Sequence, residues 1–230
     1  IKLKLKPLFF ERLFFMKNIF LNFFIFFLSL SIHSETEVEF SLKSDSIWRG
    51  LTQNNGEPTL GAEINFSLEN GFFSGAWIES CCSENNTYPN REVGYVFGYQ
   101  KEINKNFEIS LNYAGTNYPN SKNDNYDELV LNFSFFDLGI SYFKGLDNFP
   151  DYLEVSYSYY FLNNSFNLSY GDFRSYKNDN TSNGSNYSIG IDNLHKDFTL
   201  SFFYYYFNAN GSSNLDNDGI VFSISKKTSF

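Results

Sequence analysis

Six acidic residues recur at one kind of position in this chain. Glu63, Glu92, Glu108, Glu128, Glu154 and Asp192 each stand in a short run where bulky apolar side chains alternate with small or polar ones, and each falls on the polar side. Lys43, Asp45 and Arg49 add charges of both signs in the first such region. Charged groups spaced this way can do one of two things. They can line a watery interior and tune which ions pass, or they can pair with one another as a network that braces, or even plugs, a narrow interior. Arg49 and Asp45 suit either role equally, since one arginine beside many acids is an obvious brace. Glu108 and Glu128 have few bases nearby in sequence and lean toward the lining role. An acidic lining favours cations over anions.

Catalysis is much less well supplied. Serine hydrolysis needs a base beside the nucleophile, and the only histidine beyond residue 33 is His195, in an expected turn beside Lys196. A carboxylate pair from Asp124 and Asp151 is geometrically conceivable, but acids in long loops serve solubility anyway. The expectation is that the protein is not an enzyme. The two cysteines are the neighbours Cys81 and Cys82, which rarely bridge each other without strain, and no histidine–cysteine spacing suits zinc. Neither a metal nor a cofactor is expected.

The elements that must position these charges are strands. In "TLGAEINFSLENGFFSGAWIES" (59–80), Leu60, Ala62, Ile64, Phe66 and Leu68 share one parity, while Gly61, Glu63, Asn65 and Ser67 share the other. A period of two marks a strand with one apolar face, and the following Asn70-Gly71 is a hairpin signal. The same alternation recurs through residues 38–43, 92–100, 107–114, 128–135, 138–142, 154–161, 166–171, 187–192, 198–204 and 220–225. The run 72–78 is too apolar on both sides for its faces to be assigned, and Phe203 and Tyr205 blur another. About twelve strands result, with no convincing helix among them. Tight connections at Asn70-Gly71, 103–106, 136–137, 162–164 and 194–197 alternate with longer polar ones near 51–58, 81–91, 115–125, 145–151, 173–185 and 208–218.

Short turns at one end, long loops at the other and an even strand count form the plan of an outer-membrane β-barrel. A soluble sandwich or small barrel also alternates, but with its apolar face turned inward. Here the apolar parity is almost uniformly Phe, Tyr, Ile and Leu, and the other is rich in Gly, Ser, Asn and Glu. That division suits hydrocarbon outside and a hydrated interior. A sheet facing lipid cannot leave unpaired edges, so the strands must close. The expected fold is therefore all-β: a closed antiparallel up-and-down transmembrane barrel. Both termini lie at the short-turn, periplasmic end, and the final Phe230 shares the outward parity of Ile220, Phe222 and Ile224, as a signal to the outer-membrane assembly machinery.

The only methionine, Met16, opens "MKNIFLNFFIFFLSLSIHS": a lysine, a short apolar run, then small and polar residues. This is the order of a secretory signal peptide, expected over 16–34 with cleavage after Ser34. Residues 1–15 read as an over-translated or leader segment, and 35–230 as the barrel. Of the 17 basic and 26 acidic residues, five and one precede residue 35, so the remainder carries 12 and 25, a net charge of −13. That balance argues against nucleic acid or anionic membrane surfaces as partners, since both need a basic patch, and no nucleic-acid partner is expected. The expected partners are outer-membrane lipid and small solutes or ions. Passive diffusion through a porin-like channel is the expected function. The alternative is a non-conducting barrel with a structural or surface-contact role.

One segment carries a resemblance. "SDSIWRGLTQNNGEPTLGAEINFSLENGFFSGAW" (44–77) is similar to the hallmark of the TorF porin family. The matching residues are Ser44, Asp45, Trp48, Arg49, Gly50, Leu51, Thr52, Gln53, Gly56, Pro58 and Gly61, then Gly71, Phe72, Phe73, Gly75 and Trp77. Ser46 stands where that family prefers an aromatic, and Asn70 replaces its usual serine. "DNYDEL" (124–129) and "PDYLEV" (150–155) look like the family's tyrosine–acid strand openings. The resemblance implies an exported, channel-like outer-membrane barrel with no defined substrate.

Overall fold

The computed structural model describes residues 34–80, 91–119, 125–146, 149–174, 184–209 and 217–230. Nearly all of the expected leader, together with Cys81, Cys82 and Asp124, lies outside the described residues. The strands are β1 (Ser34–Lys43), β2 (Ile47–Trp48), β3 (Leu51–Thr52), β4 (Thr59–Leu68), β5 (Phe72–Ser80), β6 (Arg91–Asn104) and β7 (Phe107–Asn117), followed by β8 (Tyr126–Phe135), β9 (Leu138–Gly145), β10 (Asp151–Phe161), β11 (Asn164–Arg174), β12 (Gly184–His195), β13 (Phe198–Ala209) and β14 (Asn217–Ser229). Twelve of them form one closed antiparallel barrel in the order β1-β14-β13-β12-β11-β10-β9-β8-β7-β6-β5-β4, while β2 and β3 pair only with each other.

Closure follows from register. β1 pairs with β14 from Glu37↔Ser229 to Lys43↔Ser223, and with β4 from Ser34↔Leu68 to Lys43↔Thr59. Phe230 extends the seam, exchanging backbone hydrogen bonds with Thr36. Because antiparallel pairing keeps partners on the same side, one alternation propagates round the sheet. Phe40, Leu60, Phe97, Leu111, Leu168, Leu200 and Phe222 are all exposed on the outside. The run 72–78, unassigned from sequence, resolves into Phe72, Ser74, Ala76 and Ile78 outside and Phe73, Gly75 and Trp77 inside, set by the pairs Glu63↔Trp77 and Asn65↔Gly75. Tyrosines on the outer face near the long-loop end donate to aspartates at the rim: Tyr95 to Asp127 and Tyr142 to Asp151.

The two ends differ as the alternation of short and long connections predicts. Phe136, Leu162 and Lys196 hold positive φ at the first residue of two-residue turns. Gly71 (φ +93) meets a second demand, since a Cβ there would lie 2.2 Å from the Gln100 carbonyl. Ser34 and Phe230 lie at this short-turn end.

The interior departs from a lining of small residues. Inward-facing rings lie flat over glycines on neighbouring strands: a Cβ on Gly94 would fall 1.9 Å from the Trp77 ring, and one on Gly171 would fall 1.9 Å from the Tyr152 hydroxyl. Glycine here makes room for an aromatic neighbour, which covers the exposed backbone in return.

Candidate functional site

The segment between β1 and β4 does not continue the wall. The sequence pattern places Asp45 and Arg49 on the polar parity of the first strand; β1 instead ends at Lys43, and the residues that follow fold into the lumen as a small hairpin. Its tip, Arg49-Gly50, has φ of +50 and +81, the two positive values of a type I′ turn. Asn55 and Gly56 repeat the device at +52 and +81, closed by Glu57 N–H donating to the Asn54 carbonyl at 3.0 Å. The connection therefore begins at 44, seven residues before its expected start, because one positive-φ turn closes a β2–β3 ladder of only two residue pairs and a second follows it.

The root of the hairpin is tied to the wall on both sides. Ser44 N–H donates to the Phe222 carbonyl at 2.8 Å, and its hydroxyl accepts from Phe222 N–H at 3.0 Å. Glu79 of β5 accepts from Lys43 at 2.5 Å and from the Ser46 hydroxyl. Within the hairpin, Thr52 donates to Asp45 at 3.0 Å, and Gln53 N–H donates to the Ser46 carbonyl at 2.7 Å. The Asn54 amide donates to the Glu57 carbonyl at 3.0 Å and to the Thr59 hydroxyl at 3.3 Å. The polar residues of the motif thus act locally, satisfying groups that were buried when the hairpin entered the barrel.

The tip reaches the opposite wall. Arg49 makes a two-pronged bond to Glu128 of β8, Nη1 to Oε1 and Nη2 to Oε2 both at 2.9 Å, with the two side chains only 8% and 7% exposed. Its guanidinium lies 4.3 Å from the ring centres of Phe143 and Tyr152, 4.7 Å from that of Trp48 and 5.8 Å from that of Phe173. Gly50 fits against β12 so closely that a Cβ would lie 2.5 Å from that of Asn186. Tyr152, Phe173, Phe207 and Ala209 form a buried cluster, with Trp48, Leu51 and Phe143 packed against it. Trp48 also packs against Tyr126 and Phe149, both at 5.8 Å.

The other sequence candidates divide between two levels of the lumen. Near the long-loop end, Glu92 accepts from Trp77 Nε1 at 2.7 Å and from the Tyr118 hydroxyl at 3.0 Å, and the Tyr152 hydroxyl lies 3.1 Å from Glu154 and 2.8 Å from Asn186. Toward the short turns, Glu63 accepts from Asn65 at 2.6 Å, Asp192 accepts from Asn167 at 2.7 Å and Ser165 at 3.1 Å, and Glu108 stands opposite Glu102 and Ser134. Glu128, expected as a lining residue because no base lies near it in sequence, is instead the partner of Arg49, 79 residues away. Sequence reasoning missed the rings that complete the site, Phe143, Tyr152 and Phe173. Their signal was an aromatic on the small parity near the long-loop end of three successive strands.

Twelve antiparallel strands closed round a lumen, apolar outside and crossed by an inward hairpin, define a porin-like barrel. The chain belongs to Gcw_chp, a family of bacterial proteins of unknown function, whose model matches residues 32–230. Among solved structures, it is similar to the KdgM porin in complex with disordered oligogalacturonate, at 11% identity and a TM-score of 0.59 over 85% of this chain and 99% of that one. It is also similar to the NanC porin, at 11% identity and a TM-score of 0.54 over 84% of this chain and 100% of that one. At such identity the likeness is one of fold. No curated protein matches the chain.

Proposed function

We propose that this protein is an outer-membrane channel of the porin type, passing small solutes or ions by passive diffusion, with the hairpin of residues 44–58 at its constriction. The observation that carries this reading is the division of the wall: Leu111, Leu168 and Phe222 are about half exposed on the outside, while serine, asparagine, glycine and carboxylates face in. An apolar belt on a closed sheet is stable in hydrocarbon. The resemblance of residues 44–77 to the TorF porin family supports the same reading. On it, residues 16–34 are an export signal, 35–230 the barrel, both termini are periplasmic and Phe230 serves assembly. Twelve strands lie between the eight that side chains fill and the sixteen or more that leave a wide channel. Lys43 is neutralised by Glu79, and the remaining lumen candidates Glu63, Glu92, Glu108, Glu154 and Asp192 bias passage toward cations.

A second reading has a specific observation in its favour. Arg49 and Glu128 are deeply buried where the hairpin meets the far wall, as in a barrel that is permanently plugged. Planar-bilayer recording of the purified protein separates the two. The channel reading expects discrete conductance steps and, across a salt gradient, a reversal potential of cationic sign. Silence from a barrel that is folded by its heat-dependent gel mobility, coupled with conductance only after residues 45–57 are replaced by a short Gly-Ser linker, establishes the plugged barrel. A clear anion preference ends the cation assignment.

A further inference from the structure

We infer that the barrel wall carries a binding site for organic cations of the guanidinium and alkylammonium class, and that the chain's own Arg49 occupies it. The inference rests on the channel reading and deepens it by naming the solute class at the constriction. The components of the site come from four consecutive wall strands: Glu128 on β8, Phe143 on β9, Tyr152 on β10 and Phe173 on β11. Those strands are paired to one another by backbone hydrogen bonds, whereas β2 and β3 of the hairpin pair only with each other.

The chemistry selects its ligand. Two ring centres at 4.3 Å and a third at 5.8 Å surround the guanidinium carbon. Aromatic faces attract a cation through their quadrupole, most strongly where water is excluded. The carboxylate supplies the fork that matches a guanidinium plane. Potassium or sodium would have to surrender hydration without gaining hydrogen bonds to the fork, and an anion would meet Glu128 and lose the ring contacts. Removing one partner of a buried pair leaves an uncompensated charge, so Glu128 in this setting calls for a cation whenever the hairpin withdraws. The turn-end vestibule, with Glu63, Glu108 and Asp192, raises the local concentration of cations below the site.

Arg49 then acts as a tethered competitor. Because it is part of the same chain, its effective concentration is high, and a free cation binds with an affinity reduced by the small fraction of time that the site stands empty. Occupancy by a solute and withdrawal of the hairpin tip are the same event, which couples entry of the preferred solute to widening of the lumen.

The test uses tryptophan fluorescence of the detergent-purified protein, titrated with agmatine, with choline, and with potassium chloride at matched ionic strength. Trp48 abuts the site and reports on it. Replacing the competitor (Arg49→Ala) is expected to tighten agmatine binding by about tenfold or more over wild type, with choline following and potassium giving no saturable change. Adding Glu128→Gln or Tyr152→Leu to R49A is expected to reverse the gain. If R49A fails to fold, the linker replacement of residues 45–57 uncovers the same wall, and isothermal titration calorimetry reads agmatine binding in place of Trp48. The inference is overturned if the uncovered wall binds agmatine no more tightly than wild type, or if E128Q and Y152L leave that binding unchanged. The readout does not need conductance. A barrel that binds agmatine yet passes no current overturns the channel reading alone, while one that conducts and binds none overturns the site alone.

Discussion

The two halves of the lumen are built on different principles. Toward the long loops the interior is a packed core: Tyr152, Phe207 and Val221 are buried almost completely, and rings pack against one another from Trp48 through Phe173 to Phe207. Toward the short turns it is a ladder of small polar groups. There Ser169 meets Ser188 at 2.7 Å, Ser158 donates to Asn167 at 2.8 Å and Asn132 donates to Ser110 at 2.8 Å. The wall strands are continuous through both halves, so the difference lies in what the first long connection brings inside. A barrel of this girth has too few inward side chains to fill itself, and the hairpin supplies the missing volume at one end only. The upper half consequently behaves as the interior of a soluble protein, where unpaired charge and excess volume are costly. The lower half behaves as hydrated surface.

The comparison breaks most visibly at Glu128. Glu128→Ala leaves Arg49 buried among rings with no counter-charge, and losing one partner of such a pair costs ~3–5 kcal/mol. Urea unfolding of the purified barrel measures it, and the same substitution at the exposed Glu63, which accepts a hydrogen bond from Asn65, is expected to cost less than about 1 kcal/mol. Equal costs at the two sites would mean that the halves do not differ as described. Next comes the inside–outside contrast. Leu168 is 48% exposed on the outer face at the middle of β11, so Leu168→Arg faces hydrocarbon and is expected to cost ~2–4 kcal/mol in lipid. Ser169→Arg, one residue along and pointing into the hydrated half, is expected to cost no more than about 1 kcal/mol. Unfolding of both in the same bilayer decides it; a larger penalty at Ser169 would reverse the assignment of faces.

How far these halves could be foreseen differs between them. The barrel itself was legible because its outer face is chemically uniform: the alternation at Phe97-Gly98-Tyr99 or Ile220-Val221-Phe222 states which side is which, and the tight turns state the pairing order. The lower ladder followed from the small parity. The upper core was not legible, for two reasons. The stretch "SDSIWRGLTQ" has too short a ladder to show a period, so it reads as the end of one strand and the start of a loop. Arg49 suits a brace and a lining role equally, because its partner lies far along the chain among many acids, and nothing in local sequence separates Glu128 from Glu108. The inward rings were obscured because Phe73, Trp77, Phe203 and Tyr205 stand on the parity that hydration would reserve for small residues. Only the register shows that Gly94, Gly98, Gly190 and Gly219 on adjacent strands lie beneath them.

That pairing of ring and glycine sets the third expectation. On Gly94 a Cβ would overlap the Trp77 indole, whose Nε1 is already committed to Glu92 at 2.7 Å. The ring cannot slide aside without losing that bond. Gly94→Ala is therefore expected to cost ~1–3 kcal/mol, the range for overpacking a filled site. Adding Trp77→Leu to G94A is expected to recover part of the loss by removing the clash. A G94A barrel as stable as wild type, by unfolding in urea, would show that the ring is not seated on the glycine.

The smallest effect is the most exacting check on the hydrated half. Ser169 and Ser188 share a hydrogen bond at 2.7 Å, which in a dry interior would cost ~1–3 kcal/mol to break with one partner left unsatisfied. Facing water, the remaining hydroxyl finds another partner, and Ser169→Ala is expected to shift stability by no more than about 0.5 kcal/mol. The same hydration predicts no change in the cation preference of the current, since no charge is altered. A loss above about 1 kcal/mol, the scale of a buried hydroxyl left unpaired, would show that the vestibule is dry, and the contrast between the two halves would then reduce to the presence of rings in one and their scarcity in the other.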